Sequence, residues 1–330
     1  MTTPFKFFAG AALLTLATSS YAQKVCVFDP LGTQGDIYSM MKDYALAAKQ
    51  WGADITLKPY TDERIAAEDF KAGQCDGVSI TGVRARQFNN FTGSIDAAGG
   101  LPNNNAAKAV ISLMASPKVA PYMLNKGYEV VGVSTLGSVY IVVNDRSINS
   151  LLKVMGKRFG VLDYDKAEEI LVQKVGAQAV SVDLTSIGGK FNNGQVDVIA
   201  VPAMAFKPLE LSKGIGSKGA IVRFPVAHVT SDILIRPSRF PDGYGQKSRT
   251  WVAEQLDRQL ATVARVEKSI EPRYWMDLPA NDKAGYVKIL REARLSLARD
   301  DVYNKKMMSI LKKVRCGQEP TNFECTLTDE

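Results

Sequence analysis

The sequence predicts an α/β fold with two similar lobes, hinge strands between them and bracing helices near its C-terminal end. Three observations predict it: strands alternate with helices from residue 24 onward, one helix-to-strand segment recurs in the second half, and a charged helical pattern fills residues 245–315. The 330 residues also exceed what one hydrophobic core usually supports. We therefore expect a signal peptide over 1–22, a first lobe over 23–138, hinge strands and a second lobe over 139–236, and C-terminal helices with a disulfide-closed tail over 237–330.

The first 22 residues have the composition of a cleavable secretory signal peptide. Lys6 precedes an apolar run over residues 7–17, and Ser20-Tyr21-Ala22 supplies a small-x-small cleavage step. The run is shorter than the roughly 20 apolar residues that span a bilayer. We expect a mature chain that begins near Gln23, is exported to the periplasm and is free in solution.

Strand and helix patterns then alternate along the first lobe. A β-rich burst over 24–30 breaks at 31–36 and is followed by a helical stretch to about Trp51. A strand over 54–60, helical spacing over 62–70 and a strand over 77–80 come next. This order implies a parallel sheet covered on both faces.

A pseudo-repeat indicates that the second half is built in the same way. The segment 70–78, FKAGQCDGV, recurs over 191–199 as FNNGQVDVI. Each copy ends a helix, turns at a Gly and enters a buried strand behind an Asp. Chance similarity between two ordinary helix-to-strand turns is the alternative, but the surrounding strands and helices match in order as well.

Two further segments are predicted to connect the lobes. Residues 137–144 read as a strand that crosses from the first lobe to the second, and residues 227–235 read as a returning strand. Two β crossings form a hinge that bends without breaking either core. Beyond Gly245, apolar spacing at Val252, Leu256, Leu260 and Val263 predicts helices that brace both lobes.

The four cysteines form an even set in an exported chain, which favours disulfides over metal ligation. Cys26 and Cys75 lie near the starts of neighbouring parallel strands, so a bridge between them is geometrically natural. Cys316 and Cys325 would close a short C-terminal loop. The other two pairings stay open. With one His and no C-x-x-C pair, we expect no metal site.

The formal charge of +7 becomes +6 when Lys6 leaves with the signal peptide. This excess fits an anionic ligand or surface, although a mildly basic solvated face is the simpler interpretation. We expect no nucleic-acid partner.

Motifs for catalysis are weak. Gly214-x-Gly216-x-x-Gly219 has dinucleotide spacing, but it follows a helical segment and precedes a strand, the reverse of what the fingerprint needs. His228 lies among β-formers near Ser231 and Asp232, and adjacency in sequence does not make a triad. We predict a structural hinge histidine, no enzymatic activity and no cofactor.

Small molecules bind open α/β sheets beyond the carboxyl ends of the strands. We therefore predict ligand-binding residues in the loops after the strands and on the crossing strand, namely Asp29, Thr81, Arg84, Tyr140, Asp163, Tyr164 and Phe206. For each of them a solvated loop position or a helix cap is the alternative, and Asp29 and Asp163 are good cap candidates.

Three segments of the second half, 156–161, 175–180 and 193–197, resemble the solute-binding subunits of tripartite ATP-independent periplasmic (TRAP) transporters. The chain also resembles the AdeT-like group of solute-binding proteins. The resemblance covers most of the mature chain in order of elements and about 40 residues in motif. It implies a periplasmic-binding-protein-like fold that captures a small metabolite, often a carboxylate, and hands it to an inner-membrane permease.

Two departures from the TRAP pattern concern the ligand. Gly160 stands where those proteins carry an Arg, while Arg158 lies two positions earlier on the same strand face. Val201-Pro202 replaces their Asn-Pro. An anionic metabolite therefore depends on Arg84 or Arg158, and we add Arg158 to the predicted ligand-binding residues.

Two other functions compete with solute capture. One is a periplasmic accessory component of an efflux complex, although the long heptad hairpin of a tube-forming adaptor is missing. The other is an enzyme on the same scaffold, because a fold does not determine a function.

Overall fold

The computed structural model describes residues 22–330, so the predicted signal peptide lies outside the described residues except for its last position. The strands of the described chain are β1 Gln23–Phe28, β2 Ile55–Tyr60, β3 Gly77–Thr81, β4 Leu124–Asn125, β5 Tyr128–Val143, β6 Arg158–Leu162, β7 Gln178–Val182, β8 Val198–Pro202, β9 Ala220–Ile235 and β10 Trp275–Met276. The helices are α1 Asp36–Ala48, α2 Glu63–Lys71, α3 Gly82–Ala85, α4 Asn104–Leu113, α5 Ala120–Met123, α6 Leu151–Val154, α7 Lys166–Lys174, α8 Ile187–Asn192, α9 Ser212–Ile215, α10 Tyr244–Glu254, α11 Leu256–Ser269, α12 Ala280–Arg299 and α13 Lys305–Gln318.

One mixed sheet runs through the molecule in the order β2-β1-β3-β9-β5-β8-β6-β7. β1 to β3 are parallel to one another, as are β6 to β8. The long strands β5 and β9 lie between these sets and are antiparallel to each other and to their outer neighbours. This arrangement confirms the predicted two-lobed α/β fold. We call β1–β3 with α1 and α2 the first lobe, and β6–β8 with α7 and α8 the second.

β5 and β9 form the waist between the lobes, and each has 16 residues. Both are longer than predicted. β5 begins at Tyr128 rather than at residue 137 because it forms a hairpin with β4. β9 begins at Ala220 rather than at residue 227, since the strand continues through Pro225, which pairs with Tyr140 at an irregularity of the register.

Side chains of alternate residues in the first lobe's strands serve cores on opposite faces of the sheet. Val25 and Val27 pack with Tyr44 of α1, whereas Cys26 and Phe28 belong to the core that contains Phe70 of α2. α1 and α2 therefore cover opposite faces. This is the doubly covered parallel sheet that the alternation of strands and helices predicts.

The C-terminal helices pack against both lobes. Met307 and Leu311 of α13 join the core of the first lobe, and Tyr286 and Leu290 of α12 join a core of the second. The predicted helical run is broken by β10 between α11 and α12. Within residues 22–330, none of the helices combines the length and the apolar content needed to cross a bilayer.

Gly137 brings α11 close to the waist. Its φ of +96° lies in the region that favours glycine, and a Cβ there would stand 2.6 Å from Cγ1 of Val263 on α11. Any side chain at this position would push the helix away from β5.

Both predicted disulfides are present. Cys26 pairs with Cys75 across a sequence separation of 49, and Cys316 pairs with Cys325 across 9. The first bridge joins β1 to the turn that precedes β3, and the second closes the C-terminal tail onto α13.

Candidate functional site

Three of the predicted ligand residues come together around a buried carboxylate, Glu63. Its Oε1 accepts a hydrogen bond from the backbone N of Thr81 at 2.6 Å, and its Oε2 accepts one from the Tyr164 hydroxyl at 2.9 Å. Arg84 Nε lies 3.5 Å from the same Oε2. The sequence does not single out Glu63, because it reads as an ordinary acidic residue in the first turn of a helix.

A second contact between the lobes lies beside the first. Arg86 Nη1 donates to Asp165 Oδ1 at 2.9 Å, and Arg86 Nε donates to the carbonyl oxygen of Gly93. We call Glu63, Arg84, Arg86, Tyr164 and Asp165 the latch. It joins the ends of first-lobe elements to the loop that follows β6.

The latch brings buried charges together, although Arg84 Nε makes no hydrogen bond. Burial raises the pKa of the Glu63 carboxyl and raises the pKa of the Tyr164 hydroxyl well above its ordinary value. Each guanidinium has a carboxylate partner, Glu63 for Arg84 and Asp165 for Arg86. The latch therefore joins the two lobes, and Arg84, Arg86 and Tyr164 also border a cavity of about 360 Å³.

The two predicted aspartates take structural or exposed positions. Asp29 is buried and accepts from the backbone N of Leu31 at 2.9 Å and of Tyr38 at 3.0 Å, which ties the β1–α1 loop to the first turn of α1. Asp163 is exposed. The expectation that Asp163 caps the next helix is wrong, because Asp165 is the residue that accepts from Ala167 at the start of α7.

Arg158 is engaged at the amino end of β6, away from the strand's carboxyl end. Its Nε and Nη2 donate to the Asp197 carboxylate at 3.0 and 2.6 Å, and this pairing lowers the pKa of Asp197 to about 2. Gly160 faces the interior, where a Cβ would lie 3.2 Å from Ile199. Neither position places a guanidinium in the space between the lobes.

Tyr140 and Phe206 form an aromatic cluster apart from the latch. Tyr140 donates to Glu267 Oε1 at 2.6 Å and meets Trp275 edge-on with ring centroids 5.0 Å apart. Phe206 packs on Tyr274 at 5.4 Å. The cavity between these side chains measures about 10 Å³, near the lower limit for one water molecule.

A cavity of about 120 Å³ lies at the waist, and we call it the waist pocket. Its walls come from α1, from both crossing strands, from the segment after β8 and from α11. The lining residues are Asp36, Ile37, Ser39, Met40, Ser134, Thr135, Leu136, Met204, Ser231, Arg258, Gln259, Thr262 and Val263. None of the predicted ligand residues is among them.

Neutral hydrogen-bonding groups dominate this lining. Ser134 Oγ donates to the carbonyl oxygen of Ser231 at 3.1 Å, and Thr135 Oγ1 lies 2.7 Å from Nε2 of His228. Gln259 Nε2 donates to Sδ of Met40 at 3.3 Å. Hydroxyl, amide and thioether groups can orient a small ligand by hydrogen bonds and dispersion.

Two buried acids lie near the waist on β9 and the segment that packs on it. Asp96 Oδ1 accepts from the backbone N and from Oγ1 of Thr230 at 3.1 and 2.9 Å. Burial raises the pKa of Asp96 to about 8 and that of Asp232 to about 6, and it lowers the pKa of His228 to about 4. No group of three or more His, Cys, Asp and Glu side chains in residues 22–330 is arranged to hold a metal ion.

Comparison with known families gives one match that spans most of the chain. The family model described as solute-binding protein AdeT 1/2 matches residues 45–330. Probable solute-binding protein AdeT1 of Acinetobacter baumannii is 54% identical over 304 residues, which cover 92% of this chain and 100% of that protein.

Solved structures with the same fold include TRAP periplasmic solute-binding proteins. One from Desulfovibrio desulfuricans with bound sn-glycerol-3-phosphate has a TM-score of 0.74 at 13% identity and covers 89% of this chain and 97% of its own. One from Haemophilus influenzae with bound L-gulonate has a TM-score of 0.73 at 12% identity, with 89% and 99% covered. At such identities the likeness concerns the fold.

Proposed function

We propose that this chain, which belongs to the AdeT 1/2 family of solute-binding proteins, captures a small solute in the waist pocket and presents it to a membrane transporter. The proposal rests on one observation, which is that elements of both lobes form the walls of the pocket. α1 of the first lobe, Met204 after β8 of the second, both crossing strands and α11 all reach it. A solute held there contacts both lobes at once, so its binding free energy favours the closed arrangement.

The latch supports the same function from the other face of the sheet. Glu63 belongs to α2, whereas the pocket is bordered by α1, and these helices cover opposite faces. A closed molecule would thus be held on one face by the latch and on the other by the solute. Arg84, Tyr164 and Thr81 then act by positioning the lobes.

Export to the periplasm, an inner-membrane permease as partner and the lobe boundaries given above are parts of the same proposal. The structural relatives include proteins described with bound L-gulonate and sn-glycerol-3-phosphate, which supports a small metabolite as the solute. We propose binding without covalent chemistry. The one histidine of the sequence, His228, is fully buried behind Thr135, and its lowered pKa keeps the imidazole neutral.

A thermal-shift screen with a panel of metabolites tests the proposal. A solute present at a hundredfold its dissociation constant stabilises the folded state by about 2.7 kcal/mol. Thr262→Phe fills the pocket from α11, and Thr250→Phe makes the same change at an exposed position on α10. We expect one or more metabolites to raise the Tm of the wild type and of Thr250→Phe while leaving Thr262→Phe unchanged.

Two results would contradict the proposal. A metabolite that stabilises Thr262→Phe as much as the wild type binds outside the waist pocket. If no metabolite raises the Tm and a membrane protein co-purifies with the chain, the efflux accessory function replaces solute capture.

A further inference from the structure

We infer that the waist pocket selects a small organic cation, a short-chain ammonium, with the Asp36 carboxylate as its counter-charge. The inference rests on the proposed function and concerns the class of solute. It follows from the charges that border the pocket, from the neutral groups that line it and from its size.

Two charged side chains line the pocket, Asp36 and Arg258. Arg258 is already paired, because its Nη2 lies 2.6 Å from Oδ2 of Asp43 on α1. The Asp36 carboxylate makes no ion pair or side-chain hydrogen bond within the described part of the chain. Asp36 is exposed, so the pocket presents one solvated carboxylate without an ion-pair partner at its mouth.

The remaining lining suits a cation that carries a short apolar chain. Ser134, Thr135, Ser231 and Gln259 provide oxygen atoms that accept hydrogen bonds from an ammonium group. Thioether sulfur atoms are weak acceptors and polarisable surfaces for methylene groups, and Met40 and Met204 supply them.

Three guanidinium groups near the second lobe that could bind an acid lie outside the waist pocket and next to carboxylates. Arg158 pairs with Asp197, Arg84 lies against Glu63 and Arg86 pairs with Asp165. This distinguishes the pocket from a site for carboxylates, which needs a free arginine for bidentate recognition.

Cavity size limits the solute further. An apolar cavity of about 150 Å³ accommodates benzene, with its six heavy atoms. The waist pocket encloses about 120 Å³ and is open on the side of the exposed Asp36 and Ser39, so about five heavy atoms of a solute fit inside it in this conformation.

Asp36 also has a structural role, because an acid in the first turn of α1 stabilises the helix by interacting with the helix dipole. The test must separate this role from recognition of a cation. Asp282 offers a matched control, because it occupies the first turn of α12 and is not part of the pocket.

Binding is measured with three probes of similar size, propylammonium, propan-1-ol and propionate, at constant ionic strength, by ligand-dependent thermal stability. The proteins are the wild type, Asp36→Asn and Asp282→Asn. We expect propylammonium to bind the wild type up to about fivefold more tightly than propan-1-ol, because an ion pair with an exposed carboxylate contributes up to about 1 kcal/mol, with propionate weakest. Asp36→Asn should abolish the preference for the amine, and Asp282→Asn should retain it.

Tighter binding of propionate, or an amine preference that survives in Asp36→Asn, overturns the inference. If none of the three probes binds while a larger metabolite raises the Tm in a manner abolished by Thr262→Phe, the cation inference is wrong and the proposed function stands. If propylammonium binds equally well to Thr262→Phe, it binds outside the waist pocket and the cation inference is wrong, while the metabolite screen with Thr262→Phe decides the proposed function separately.

Discussion

The guanidinium of Arg84 lies over the ring of Tyr164, with Cζ 3.3 Å from the ring centroid. Arg84 belongs to α3, which follows β3 of the first lobe, and Tyr164 follows β6 of the second. Glu63 completes the contact by accepting a hydrogen bond from Tyr164 and by lying next to the Arg84 side chain. The relation of the two lobes in this structure thus depends on a stacked cation and a buried carboxylate.

Tyr164→Phe should destabilise the protein while leaving the ring in place for Arg84. The change removes the hydroxyl that donates to Glu63 Oε2, and a buried acceptor without its partner costs about 1–3 kcal/mol. Urea unfolding measures the loss. Tyr122→Phe is the control, since Tyr122 is 42% exposed. Equal stability losses in the two variants would show that the Tyr164 hydroxyl contributes no more to stability than an exposed hydroxyl does.

Stability should fall as pH rises from 6.5 to 8. In this window the folded protein keeps a proton on Asp96, whose pKa burial raises to about 8, and the unfolded chain does not. Glu168, with a pKa raised to about 8 by burial, contributes with the same sign. Below about pH 6, Asp232 also makes stability fall as pH rises. His228, which stays neutral in the folded protein, makes stability rise with pH below about 6.5, the pKa of histidine in the unfolded chain.

Asp96→Asn should flatten this pH dependence. Removing one linked proton reduces the slope by up to about 1.4 kcal/mol per pH unit. Urea midpoints at pH 6.5, 7, 7.5 and 8 measure it. Glu168→Gln should leave the contribution of Asp96 intact, and an unchanged slope in Asp96→Asn would mean that its carboxyl is ionised throughout.

Loss of the two disulfides should have unequal effects. The Cys26–Cys75 bridge closes a loop of 49 residues and the Cys316–Cys325 bridge one of 9. Loop entropy predicts losses of about 4 and about 2.6 kcal/mol for the two double Cys→Ser variants. Thermal unfolding ranks them, and a larger loss at the C-terminal bridge would show that contacts of the tail outweigh chain entropy. One such contact is Glu324 with Arg294 and Arg315, at 2.9 Å each.

Gly137→Ala should loosen the packing of α11 on the waist. The positive φ and the 2.6 Å approach to Val263 both oppose a Cβ, and strain of this kind costs about 1–3 kcal/mol. Because α11 forms a wall of the waist pocket, solute binding should weaken with stability. The control Gly189→Ala lies in α8 with open space around its Cβ position and should stabilise by up to about 1 kcal/mol. Equal stability of Gly137→Ala and wild type would contradict the close approach.

Much of the fold follows from local pattern. Alternating strands and helices, the pseudo-repeat that precedes β3 and β8, and the cysteines at the start of neighbouring strands all depend on hydrogen bonding and side-chain periodicity within a few residues. The lengths of β5 and β9 do not follow from local pattern. Pro225 reads locally as a strand end, and β9 continues through it only because Pro225 pairs with Tyr140 on β5.

The residues of the site also divide into those that local pattern predicts and those that it does not. That Arg84 and Tyr164 follow strand ends is visible in the sequence, but their shared partner Glu63 looks like any first-turn helix acid. Arg158 illustrates the converse: strand alternation places it on the expected face, yet Asp197 holds it at the amino end of β6.

The sequence by itself predicted the two-lobed α/β architecture, favoured the observed cysteine pairing over two alternatives, and carried the resemblance to solute-binding proteins. Only the tertiary structure decided which cations are neutralised and which groups meet at the waist. The physical reason is that periodicity acts between neighbours in the chain. The lining of the waist pocket, in contrast, joins Asp36, Thr135, Met204 and Gln259 across more than 200 residues.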